Sequence, residues 1–175
     1  PILDQHLMID AHEIRESEFQ IRNYLEALFH KQLGFHEKFT LLTRFLAEEL
    51  KADTVAIYTA TDEGDWLILG GSDQQMPAGA QTPRIHCNKG SLARAYVGGE
   101  EILMTEVSHT AGLQLKTGDG VITSIYIPLV HNEPLGVMVI EFSNLNAQQT
   151  FFRLKDALRF QVAFFAYAQI REVRQ

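Results

Sequence analysis

Two segments in the C-terminal half of the chain, 121–130 and 135–142, are apolar on both of the faces that a β-strand presents. In the first, one alternation carries Val121, Ile125 and Ile127, and the other carries Ile122, Tyr126 and Val130. A sheet with one wet face alternates apolar with polar residues. These strands must therefore be covered twice. His131-Asn132-Glu133-Pro134 lies between them and reads as a tight hairpin connection. Pro128 has no N–H to donate, so a bulge or a missing ladder bond is expected near it.

Helices can supply one cover. Residues 10–33 contain no Gly or Pro, and Ile14, Ile21, Leu25 and Leu28 recur at helical spacings. Gly34 interrupts the pattern. Phe35, Phe39, Leu42, Phe45, Leu46 and Leu50 then form a second stripe, with Glu37, Lys38, Arg44, Glu48 and Lys51 on the opposite side. A long helix is expected over Ala147–Arg174. It carries two stripes: Leu154, Leu158, Val162 and Phe165, then Phe160, Phe164, Tyr167 and Ile170. A helix packed only on its own sheet needs one. The second needs the N-terminal helix, within the chain or across a two-fold axis. The expected arrangement is a homodimer joined through Ile14, Ile21, Leu25, Leu28, Phe160, Phe164, Tyr167 and Ile170. Packing of both helices inside one monomer is the alternative.

The other cover must come from residues 70–120. Before them, Thr54–Ala60 and Trp66–Leu69 read as strands around the turn Asp62-Glu63-Gly64-Asp65. Gly70–Pro83 reads as a loop and Arg84–Cys87 as a short strand. Leu92–Val97 reads as a short helix opened by Gly90-Ser91 and closed by Gly98-Gly99. Ile102–Met104 is a brief strand, and Thr105–Gly120 a loop. The order predicts an α+β fold with an antiparallel sheet. A small-molecule cavity could form beneath the broken lobe.

Three blocks then resemble a known family. LLTRFLAEELKADTVAIYTATDEGDWLIL is similar to the opening of GAF domains: amphipathic helix, link, strand, turn, strand. NKGSLARAYVGGEEILMTEV resembles their middle motif, a glycine-started short helix leading to a brief strand. ITSIYIPLVHNEPLGVMVIEF resembles their closing hairpin. Together the blocks span roughly residues 38–165. The resemblance implies helices on one face of an antiparallel sheet and a ligand pocket under a lobe on the other. It implies a sensory or dimerising module, attached to an output domain in a longer chain. The expected division is an N-terminal helical extension, 1–33, and a GAF-like domain, 34–165, whose last helix continues to about 174.

The chain has 175 residues, 46% of them hydrophobic, enough for one core. A net charge of −7 with scattered basic residues argues against nucleic acid. No apolar run approaches the roughly 20 residues that span a bilayer. The first ten residues lack the order of a signal peptide. Cys87 is the only cysteine, which favours a reducing compartment and a cytoplasmic location.

Sharper readings of the resemblance fail on residue counts. Reduction of free methionine sulfoxide by some GAF proteins needs several cysteines. Bilin attachment needs aromatic and His-rich surroundings, and Cys87 is followed by Asn88-Lys89-Gly90. Asn88-Lys89 matches only the start of the cyclic-nucleotide signature. The seven histidines are scattered, and His6/His12 and His30/His36 do not share a helix face. His86 and His109 lie in or near the lobe. Asp62/Glu63, Glu48/Glu49 and Glu100/Glu101 read as solvated. No catalytic residue, metal ligand or cofactor is assigned. The expected function is a non-enzymatic sensor of a small molecule, or alternatively an interaction module with no ligand. Expected pocket residues are Tyr58, Trp66, Ile85, Cys87, Tyr96, Thr123, Ile125 and Ile127. Their facing depends on register, because a one-residue shift reverses it.

Overall fold

The computed structural model describes residues 2–74, 81–107 and 121–174, the side chains of 2–10 and 107 excepted. The elements are α1 (Ile2–Phe29), α2 (Phe35–Leu50), β1 (Thr54–Ala60), β2 (Trp66–Ser72), β3 (Arg84–His86), α3 (Gly90–Gly98), β4 (Ile102–Val107), β5 (Val121–His131), β6 (Glu133–Phe142) and α4 (Leu145–Arg174). The first helix begins well before residue 10. The expected loops at 70–83 and 105–120 fall partly outside the described residues, as does His109. Within them, Gly70–Ser72 continues β2 and Thr105–Val107 continues β4.

The six strands form one sheet in the order β3-β2-β1-β6-β5-β4, with every neighbouring pair antiparallel. The β5–β6 turn is tighter than expected. His131 pairs with Glu133 around Asn132, which takes a left-handed φ of 64°. Asn tolerates that conformation better than most residues. The register shifts between Leu129 and Val130, close to Pro128, as the missing N–H predicts.

Helices α1, α2 and α4 pack on one face. Their apolar stripes meet Val55, Ile57, Ile125, Ile127, Ile140 and Phe142 in one core. Glycine explains how closely α2 sits. A Cβ at Gly71 would strike the backbone of Phe39. That is why Gly70-Gly71, which reads as a loop, is strand beneath a helix. The C-terminal ends of α2 and α1 are satisfied locally. Lys51 adopts φ 56°, and its N–H reaches the carbonyls of Ala47 and Glu48. Buried Lys38 donates from Nζ to the Phe29 carbonyl at the end of α1, 3.2 Å away, where the helix dipole is negative. Ile21 and Leu28 of α1 are each 1% exposed and lie in the same buried cluster as residues of α2 and α4.

Candidate functional site

The opposite face of the sheet is covered by α3. Leu92 and Ala95 of α3 pack on Leu67, Val137 and Val139. Tyr58, Ile85, Cys87 and Tyr96, four of the expected pocket residues, gather around this second cluster, with Tyr126 and Ile102 beside them. Ser91 on α3 donates to the Met104 sulfur, 2.7 Å away, which ties the helix to β4.

The other four sit elsewhere. Ile125 and Ile127 are buried in the helix-side core, and Thr123 shares their alternation on β5. Trp66 pairs with His86, on the alternation opposite to Leu67 and Ile85. Its ring meets His86 edge-on at 4.8 Å and carries the Arg84 guanidinium 4.3 Å above it. These four positions are therefore corrected. Strand alternation turns them away from the lobe.

Register supplies residues that the sequence reading missed. On β6, Val137 and Val139 face α3, so Glu141 points to the same side. Glu141 pairs with Thr54 on β1 and with Ser124 on β5. One step along, Ala56, Val139 and Tyr126 form the next row. Every lobe-facing residue of β1, from Thr54 to Ala60, is half-buried, whereas Val55 and Ile57 are fully buried. Glu141 had one available signal: it is the only charged residue between Leu135 and Phe142.

Burial pushes the Glu141 carboxyl above the usual carboxylate range, and Asp53, Glu106 and Asp73 add to the rise, while the Ser124 hydroxyl donates to it and opposes the shift. Asp53 and Asp73 have structural partners: Asp53 accepts from the Ser143 N–H, and Asp73 from Thr54 Oγ1 and the Val55 N–H. The hydroxyls of Tyr58 and Tyr126 are raised, first by burial and then by Glu141. The Cys87 thiol is raised by burial and then by Asp65. A raised thiol holds less thiolate and is a weaker nucleophile at neutral pH. Among the described residues, no group of three His, Cys, Asp or Glu could hold a metal ion. No helix among them is long and apolar enough to cross a membrane.

The expected dimer residues divide in two. Ile21, Leu25, Leu28 and Ile170 are buried inside the single chain, and Ile14 and Tyr167 pack at the edge of its core. Within the chain α1 packs along α4, and these residues lie in or beside that contact. Phe160 and Phe164 remain 67% and 51% exposed. With Phe29 and Arg22 they line a surface groove of about 330 Å³.

Ion pairs join the lobe and the turns to α4. Glu101, just after α3, accepts from Lys155 at 2.5 Å and from Arg159 at 3.1 Å. Arg174 pairs with Asp62 and Glu133, one from each hairpin turn.

No protein-family model matches the chain, and no curated protein matches it. Solved structures do. The A. aeolicus nlh2 GAF domain in an inactive state is 17% identical, with a TM-score of 0.66, covering 93% of this chain and 99% of that one. The GAF domain of a phosphoenolpyruvate-protein phosphotransferase from Coxiella burnetii is 17% identical, with a TM-score of 0.63, covering 94% and 96%. The free methionine-R-sulfoxide reductase of Neisseria meningitidis, in complex with its substrate, is 20% identical, with a TM-score of 0.64, covering 91% of each chain.

Proposed function

We propose that this chain, a GAF-like domain in its fold, is a non-enzymatic regulatory module that binds a small molecule between the sheet and α3. Binding is passed to the terminal helices, which also join two copies of the chain. In a longer protein those helices lead to an output domain, and the lone cysteine suits a cytoplasmic setting.

The observation that carries this reading is the pairing of Glu101 with Lys155 and Arg159. It links the exit of the lobe helix to the longest helix of the chain. A ligand that shifts α3 acts on Glu101, and through it on α4. Exposed pairs contribute little stability. They do bias position, and a ligand with unequal affinity for two positions shifts their populations. The half-buried, hydroxyl-bearing lobe face supplies the binding surface.

A reductase reading would need a reactive thiolate and a second thiol to resolve it. Cys87 is alone in the sequence and its thiol is shifted away from reactivity. A thermal-shift screen against nucleotides, amino acids, haem, anions and amines tests ligand binding, since a ligand that binds only the native state raises its melting temperature. Absence of any shift would leave the interaction-module reading. That reading has its own support in the exposed Phe19, Phe29, Phe160 and Phe164 on α1 and α4. Light scattering at tens of micromolar tests the homodimer. A dimeric mass that becomes monomeric in Phe160→Asp/Phe164→Asp supports it, and a monomeric wild-type mass removes it.

A further inference from the structure

We propose that the molecule bound on the lobe face carries a protonated amine, received by the Glu141 carboxylate, with an apolar body lying against Tyr58 and Tyr126. This rests on the small-molecule reading above and names its chemical class.

The placement follows from strand register. Glu141 stands between Thr54 and Ser124, and the row beside it runs Ala56, Val139, Tyr126. Tyr58 lies one step further along β1, opposite Val137. The arrangement is thus one carboxylate, two phenols and a serine hydroxyl around a floor of small and branched apolar side chains. All four polar residues are half-buried, neither sealed in a core nor freely solvated.

A carboxylate brought partly out of water beside aromatic rings is costly unless something compensates it. Ser124 donates one hydrogen bond. Among the described residues, the other charges acting on Glu141 come from Asp53, Glu106 and Asp73, all of its own sign. Two of these are already held by backbone and hydroxyl donors, so they act on the site through their field. A negative field of this kind repels phosphates and carboxylates and attracts a cation. The ring faces of two tyrosines favour a cation further, and their hydroxyls can accept from its N–H groups. A charge-assisted N–H···O bond to Glu141 would supply the specificity.

The test uses the full chain and three probes that share one body: phenethylamine, phenethyl alcohol and phenylacetate. Calorimetry and thermal shift should detect the amine and neither of the others. Glu141→Gln should weaken the amine about tenfold or more. Ser124→Ala, which keeps the carboxylate, should weaken it less. Affinity should also fall as pH drops through the raised range of Glu141, and that pH dependence should vanish in Glu141→Gln. A merely structural role for Glu141 would not produce such a profile. Preference for the alcohol or the acid would overturn the amine class while leaving a small-molecule site. If a broader panel of nucleotides, amino acids, haem and anions also leaves the melting temperature unmoved, the small-molecule reading falls too.

Discussion

Ile57 and Tyr58 follow one another on β1 and face opposite sides of the same sheet. Ile57 is fully buried among the side chains of the three-helix layer. Tyr58 is half-buried beside Leu67 and Val137, on the face that carries Glu141 and Ser124. The contrast repeats on β6, where Met138 and Ile140 are fully buried while Glu141 is not. One face is filled mainly with apolar side chains, with Thr59 and Thr123 the buried polar residues among its strands. Packing at that density leaves no room for a guest. The other face holds a half-buried carboxylate and hydroxyls that water or a ligand can reach. If the lobe face binds the proposed ligand, stability and recognition lie on opposite faces of one sheet, and substitutions should separate them.

The largest effect is expected at Phe39→Ala. Its ring contacts Phe35 and Phe165 at centroid distances of 4.8 and 5.7 Å, and truncation should remove about 3–5 kcal/mol in urea unfolding. A loss under about 1 kcal/mol would mean that the helix side is not the tightly packed face. Leu28→Ala comes next, at about 2–5 kcal/mol. It asks whether α1 is core, as its 1% exposure indicates, and a neutral result would return α1 to the status of an extension.

Smaller effects belong to the lobe side. Glu141 binds its proton more tightly folded than unfolded, because burial raises it. Its contribution therefore favours the native state below the ordinary carboxylate range and is lost as pH rises through the raised value. Glu141→Gln has no such loss. It should melt above wild type near pH 8, with the gap closing toward about pH 4. A gap that widens on acidification would contradict a raised carboxyl. Smallest of all, Glu101→Gln should change stability by only about 0.2–1 kcal/mol. Its effect should appear instead as a reduced response of α4 to ligand, read by hydrogen exchange along 145–174. An unaltered response would break the link between lobe and helix.

Much of this architecture is legible in the amino-acid order. The apolar strands without a wet face required two covers, and two covers are present. Helix and strand periods located most elements to within a few residues, since side-chain spacing follows from backbone geometry alone. Gly70-Gly71 was misleading because glycine signals a turn as readily as a close approach. Only the position of Phe39 distinguishes the two.

The composition of the candidate site was less accessible. Tyr58, Ile85, Cys87 and Tyr96 gather on the lobe side, while Trp66, Thr123, Ile125 and Ile127 turn away from it. A strand pattern that is apolar on both faces carries no mark of which face is which. The period of two survives any choice of side, so the choice falls to the pairing partners. The second stripe on α4 was likewise readable, but its cover was not, because a helix seam looks the same whether it is filled from within the chain or by another copy. The sequence by itself determined a doubly covered antiparallel sheet with amphipathic helices. Tertiary structure decided that Glu141, the one charge between Leu135 and Phe142, stands between two hydroxyls on the lobe face, because cross-strand register brings together residues distant along the chain.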